Sequence, residues 1–433
     1  MMSPPLSRRI AATDEPIIAI MRTLASGPNI LSLGQGAVHW APPEKALDAA
    51  RDACGDPATS TYSDDLGTPA LRAALRAKLA ADHGLPVVGG EVTHSWAYDI
   101  AVTAGANQAL ASLALILTDP ATSSSAPPGA TAGVGVAILF APYYFNSLMA
   151  LQLAGSAVEI GPCDAGWSPD LGWLEARMKD GAAPPVSMVY AVSPGNPTGV
   201  ALPRSVLDTL VRLTSAANAW LVLDITYEAF TDDPLFHALP ASPNLVYVGS
   251  FSKAFGAAGW RVGWVAFPED GRGELMGALL KTNDTLPIHA ALASQAVAQA
   301  CLEGGGCGRA WVRAQVAGLA SSRSAARAAL EPLVTAGGAV AGGDAIYWWV
   351  TLPPGCEDDG AFVRWLVGKH GVAVVPGSAC GASGHVRVAF GKPAPGPAFE
   401  GAAARLRAGC EELAEAGMAG VRGWLEERER SGG

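Results

Sequence analysis

Short apolar runs recur through the middle of the chain, at 101–105, 136–140, 186–192, 220–224, 245–248 and 262–267, each closed by small or polar residues. Runs of this length, bounded by turn residues, read as buried strands. Helical patterns separate most of them, over 106–117, 145–153 and 204–218. Strand and helix in alternation restrict the chain to an α/β fold with a mostly parallel, doubly wound sheet. Beyond about residue 300 the order changes. A long helix over 309–330 precedes strand-like pieces near 345–352, 372–375 and 385–390, with helices near 359–369 and 398–416. That pattern predicts a smaller α+β domain, and 433 residues leave room for both units. The expected division is an N-terminal arm with part of the small domain at 1–50, a large domain at 51–300 and the small C-terminal domain at 301–433.

Polar candidates gather just after the carboxyl ends of these strands, where open α/β sheets hold ligands. Gly105 stands between a strand and a helix. Such a turn suits an anion through free amides and the helix dipole, and tight packing accounts for the glycine equally well. Tyr144 follows the 136–140 run, Asn196 follows 186–192, and Asp224 ends 220–224 with Tyr227 three residues on. The richest stretch is Ser250-Phe251-Ser252-Lys253, leading to Arg261. Lys253 is the only lysine or arginine between Arg212 and Arg261. An amine among apolar and small residues loses charge by desolvation and becomes a nucleophile toward carbonyls. Arg261 is a fixed cation suited to phosphate, and Ser250 and Ser252 can donate hydrogen bonds to the same group. Together they point to a lysine Schiff base with pyridoxal phosphate.

Asp224 closes an apolar strand with no cation near it in sequence. A buried carboxylate needs a partner, and a pyridinium nitrogen supplies one. Tyr227 and Asn196 can hydrogen-bond the phenolic oxygen of such a ring, and Tyr144 offers a flat face for stacking on it. Arg387, in His385-Val386-Arg387-Val388, fits either a charge on a surface strand or a bidentate clamp for a substrate carboxylate.

Composition removes other classes. A formal net charge of -10 argues against nucleic acid and anionic membrane surfaces as partners. No apolar run approaches the roughly 18 residues of a membrane span, so a cytoplasmic protein is expected. Seven scattered cysteines without a Cys-x-x-Cys pair fit a reducing compartment and no metal site. Residues 119–133 are low in complexity and read as a surface insertion.

The motifs Asn196-Pro197-Thr198-Gly199, Asp224-x-x-Tyr227 and Ser250-x-Ser252-Lys253 with Arg261 resemble those of the fold-type I, class I and II pyridoxal-phosphate aminotransferases. The likeness runs from Leu31-Ser32-Leu33-Gly34 to Arg387. It implies that Lys253 carries the cofactor and shuttles a proton, and that Asp224 pairs with the pyridine nitrogen. Tyr227 and Asn196 would meet the phenolic oxygen. Ser250, Ser252 and Arg261, with the Ala106 and Asn107 amides, would hold the phosphate. Tyr62 would reach the phosphate of a partner subunit, so a homodimer with shared sites is implied. Arg387 and the Gly34 backbone would bind the α-carboxylate.

Gly34-Gln35-Gly36, Pro142-Tyr143-Tyr144-Phe145-Asn146-Ser147 and Asn283-Asp284-Thr285-Leu286-Pro287-Ile288 are similar to plant and algal aromatic aminotransferases. Those enzymes pass an amino group from methionine to aromatic 2-oxo acids such as indole-3-pyruvate. Ala141 departs from that family, which has an acidic residue there, and 119–133 looks inserted. No arginine lies between Lys281 and Gln299, a region from which aspartate-specific relatives supply one. A distal carboxylate left unpaired costs several kcal/mol, which favours aromatic or thioether substrates. His39, Trp40 and Tyr143 are candidates to line the side-chain pocket. Rival readings are a C–S lyase or a 1-aminocyclopropane-1-carboxylate synthase-like elimination enzyme, both of which would share Lys253 and Asp224. A non-catalytic regulatory domain would need a basic DNA-binding segment, and the leading residues hold none.

Overall fold

The computed structural model describes residues 6–90, 94–121, 135–231, 239–303, 305 and 307–431. The expected insertion, from residue 122 onward, lies outside them. A seven-stranded sheet forms the centre. Its order from one edge is Ala97–Thr103, Gly263–Glu269, Leu245–Ser250, Trp220–Asp224, Val186–Val192, Val136–Ala141 and Ala157–Pro162. Only Gly263–Glu269 runs antiparallel to its neighbours. The mostly parallel, doubly wound sheet is as the alternation of elements required.

Both faces are covered, which is why these strands read as continuous apolar runs. Ala106–Leu117, Phe145–Ala154 and Glu274–Thr285 pack on one face through Leu110, Leu113, Leu151 and Leu279. On the other lie Glu44–Gly55, Pro69–His83, Leu171–Lys179, Arg204–Ala216 and Leu292–Leu302. Leu207, Leu210 and Leu213 recur every three residues and form the buried stripe of Arg204–Ala216.

A second core surrounds a four-stranded antiparallel sheet ordered Val375–Pro376, His385–Ala389, Tyr347–Thr351 and Ala339–Gly342. It also takes in Met21, Leu33, Val38 and Trp40 from the start of the chain. Leu31–Ser32 pairs in parallel with Val372–Ala373, tying that early segment to the later one.

The local differences from expectation have simple causes. Ala157–Pro162 is an edge strand with half-exposed side chains, so it carries no apolar run. The helix expected over 309–330 breaks at Gly318 into Gly308–Ala317 and Ala320–Ala329. The piece near 372–375 divides between two sheets. The last helix runs to Arg430, beyond the expected 416, with a kink where Gly417 adopts φ 59°.

Candidate active site

Sheet register brings three strand ends together. Thr103 and Ser250 both pair with Gly263, from opposite sides. The backbone is tight there, because a Cβ on Gly263 would lie 2.7 Å from the carbonyl carbon of Gly105. Gly105 itself adopts φ 85°, and a Cβ on it would meet the Arg261 guanidinium at 2.3 Å. These glycines set Arg261 against the first turn of Ala106–Leu117, whose N-terminus has no side-chain cap. Arg261 donates to the Ala258 carbonyl at 2.9 Å and the Ala104 carbonyl at 3.2 Å. The Ser250 hydroxyl donates to Ser252 at 2.8 Å and accepts the Ser252 amide at 3.0 Å. Two hydroxyls, a guanidinium and open helix amides form a phosphate cradle.

From this cradle a cleft of about 300 Å³ extends toward the second core. Ala106, Asn107, Tyr144, Asn196, Asp224, Tyr227, Ser250, Ser252, Lys253, Arg261 and Arg387 all line it. Lys253 donates to the Gly36 carbonyl. Burial lowers its amine to about 8, with Arg387 and Arg261 adding to the effect and Asp224 opposing it. Asp224 is buried, which raises its carboxyl, while Thr226 and Tyr190 hydrogen-bond the charged form and work the other way. The Thr226 amide donates at 2.9 Å and the Tyr190 hydroxyl at 3.0 Å. Tyr144 donates to Asn107 at 3.2 Å and receives from Asn146 at 2.9 Å, and burial pushes its phenol up to about 12.

Arg387 is 1 % exposed. One of its terminal nitrogens donates to Asn196 Oδ1 at 2.7 Å and the other to the Gly34 carbonyl at 2.7 Å, while Nε has no partner. None of the ion pairs among the described residues involves Arg387 or Asp224. A guanidinium this deep, with neutral hydrogen-bond partners and a place on the cleft, could pair with an incoming anion.

Some expected residues fall elsewhere. Trp40 does not line the cleft. It is buried in the second core, donates to the Ala254 carbonyl at 3.1 Å and stacks on Phe230. Neither His39, which packs edge-on against Trp40, nor Tyr143, which lies beside Gly381 and lines an adjoining cavity with Tyr144 and Asn196, is among the residues lining the cleft. Ile18, Phe145 and Tyr347 supply the apolar walls instead. Tyr62 is 81 % exposed, with its ring edge-on to His289 at 6.3 Å. Motif reasoning did not single out Tyr190 and Thr226, which hydrogen-bond Asp224, or Tyr347, which lines the cleft. A larger cavity of about 490 Å³ lies behind the Ser250–Phe255 segment. Lys78, Glu228, Asp82 and Arg309 on its rim are already paired with one another, which leaves them little to offer a ligand.

The residues fit pyridoxal phosphate: an amine for the aldehyde, a buried carboxylate lacking a cation for the ring nitrogen, and a cradle for the phosphate. The model of the family "Aminotransferase class I and II" matches residues 28–395. The chain is 40% identical over 417 residues to an aromatic aminotransferase, ISS1, of Arabidopsis thaliana, covering 95% of this chain and 98% of that one. It is 27% identical to an aspartate/prephenate aminotransferase of Thermus thermophilus, covering 89% and 94%. Among solved structures, aspartate aminotransferase from Thermus thermophilus with maleate superposes with a TM-score of 0.77 at 25% identity, covering 95% of this chain and 100% of that one. The chain belongs to the class I and II aminotransferases, enzymes that depend on pyridoxal phosphate. Among the described residues no group of His, Cys, Asp or Glu could hold a metal ion, and no helix is long and apolar enough to cross a membrane.

Proposed function

We propose that this aminotransferase moves the amino group of an aromatic amino acid or methionine to an aromatic 2-oxo acid, in two half-reactions at one site. The observation that carries this reading is Arg387, a buried guanidinium without an anion, facing a cleft walled by Ile18, Tyr144, Phe145 and Tyr347. The arginine suits an α-carboxylate held in a bidentate grip, and the walls suit an apolar side chain. Lys253, Arg261 and Arg387 are the only Lys or Arg residues lining the cleft among those described, so a second carboxylate would lack a partner in this chain. The resemblance to an Arabidopsis aromatic aminotransferase supports the same substrate class.

Bound pyridoxal phosphate supplies an electron sink that stabilises negative charge at the substrate Cα. Lys253 would hold the cofactor and, once released by substrate, carry a proton from Cα. Asp224, oriented by Tyr190 and Thr226, would keep the ring nitrogen protonated. Tyr227 and Asn196 would set the phenolic oxygen. Ser250, Ser252, Arg261 and the amides of Ala106 and Asn107 would hold the phosphate, with Tyr144 against the ring. We also propose a cytoplasmic homodimer whose Tyr62 completes its partner's cradle. The high exposure of Tyr62 and the seven free cysteines support it. The large unit at 51–300 would carry the cofactor, and 301–433 with the first 50 residues would bring Arg387.

A panel of donors against acceptors on the purified protein tests the reading. Phenylalanine, tyrosine, tryptophan and methionine are expected to outrun aspartate by about a hundredfold in kcat/KM. Arg387→Gln should lower kcat/KM for every donor by about a hundredfold or more. Equal use of aspartate would overturn the assignment.

A further inference from the structure

We propose that Tyr347 is a positioning residue that links the carboxylate-binding arginine to the phenol of Tyr227. The inference rests on the roles just given to Arg387 and Tyr227, and concerns a residue those roles leave unused.

Tyr347 opens the strand Tyr347–Thr351, two residues from Trp349, which is the cross-strand partner of Arg387. Residues two apart on a strand share a face, so the Tyr347 ring meets Arg387 diagonally. The guanidinium carbon lies 4.4 Å from the ring centre, a cation–π distance. At the other end of the ring, the Tyr347 hydroxyl lies 2.5 Å from that of Tyr227. Gly36 makes this reach possible, since a Cβ there would lie 2.2 Å from the Tyr347 oxygen. The carbonyl of that same Gly36 accepts from Lys253. One side chain therefore touches the arginine, the phenol and the backbone that receives the catalytic amine.

Only one proton can lie on the line between two paired hydroxyls. The guanidinium against the Tyr347 ring draws electron density from it and makes its O–H the better donor. Tyr347 then donates and Tyr227 accepts, which leaves the Tyr227 O–H free to donate into the cleft. Burial holds both phenols protonated at neutral pH, and Arg387 works against burial at both, ranking directly after it at Tyr347 and lower at Tyr227. The ring steadies the guanidinium, and the hydroxyl aims the Tyr227 donor.

These two contributions separate by mutation. Tyr347→Phe keeps the ring and loses the hydroxyl. Calorimetric binding of 3-phenylpropionate to the apoprotein should stay within about twofold of native. The midpoint of the pH-dependent absorbance of its holoenzyme should move up by about half a pH unit or more, because Tyr227 becomes a weaker donor. Tyr347→Leu should show that shift and also bind 3-phenylpropionate roughly three- to thirtyfold more weakly. Gly36→Ala should weaken that binding in the native background and less in Tyr347→Phe, where the oxygen struck by the new Cβ is gone. An unmoved absorbance midpoint in Tyr347→Phe overturns the link to Tyr227. Unchanged 3-phenylpropionate binding in Tyr347→Leu overturns the link to Arg387. Arg387→Gln is measured alongside: normal binding there would bring down the carboxylate reading, and the proposal with it. If Tyr347→Leu does not fold, Tyr347→Phe and its combination with Gly36→Ala decide the matter.

Discussion

Lys253 is an amine held where its positive charge is poorly solvated, and Arg387 and Arg261 add their repulsion to the burial. Its ammonium therefore loses its proton near pH 8 rather than 10.5. An amine attacks an aldehyde only when neutral, so capture of pyridoxal phosphate by the apoprotein should accelerate as pH rises through about 8. Stopped-flow absorbance reads this directly, and a midpoint near that of free lysine would contradict the environment described. That Asn196, Asp224, Tyr227 and Lys253 share one cleft was legible because they follow strand ends, where sequence alone says ligands gather. Tyr190 was not, since it lies inside the apolar run Val186–Val192. Its value comes from the pairing of Val192 with Asp224, which places its hydroxyl on that carboxylate. Trp40, a candidate for the side-chain pocket, sits among the buried residues of the second core and is not among those lining the cleft.

At the scale of elements, the site depends on how closely two strand ends and a helix start approach one another. Gly105→Ala would set a methyl group against Arg261 and strain a residue at φ 85°. The expected result is about a tenfold or greater rise in the dissociation constant for pyridoxal phosphate, with the fold intact by circular dichroism. Unchanged retention would show that the cradle does not need this approach. The turn after Tyr227 has its own support. Glu228 holds Lys78 at 2.6 Å and the ring of His83, and the Lys78 charge with the hydrogen bonds from both side chains, against the penalty of burial, keeps its carboxyl far below the usual range. A depressed carboxylate stabilises the fold above its unfolded value of 4.5, and that contribution drains away as pH falls below it. Glu228→Gln takes from Lys78 the nearer of its two carboxylates, leaving Asp82 at 3.3 Å, and should cost about 1–3 kcal/mol in urea unfolding at pH 7, with a smaller difference from native near pH 3. Equal loss at both pH values would rule out the ionic account. Neither Lys78 nor His83 was legible as a partner of Glu228, because roughly 150 residues of chain separate them and only packing of helix Pro69–His83 brings them together.

In the whole molecule, two cores meet around one cleft, the larger presenting the amine and carboxylate, the smaller presenting Arg387 and Tyr347. The alternation of strands and helices made the larger sheet legible, and the change of pattern near residue 300 marked the smaller one. The return of Met21, Leu33, Val38 and Trp40 to the second core is a long-range contact that periodicity does not encode. A site assembled this way would suit the proposed exchange, in which two similar acids take turns at one arginine. The most direct measurement is to mix the holoenzyme with phenylalanine alone, with no 2-oxo acid present. One equivalent of 2-oxo acid per site should appear, with loss of the absorbance of the lysine-bound cofactor and no ammonia, and Lys253→Ala should do neither. Continuous release of ammonia from the amino acid by itself, or normal turnover by Lys253→Ala, would contradict amino-group transfer at this lysine.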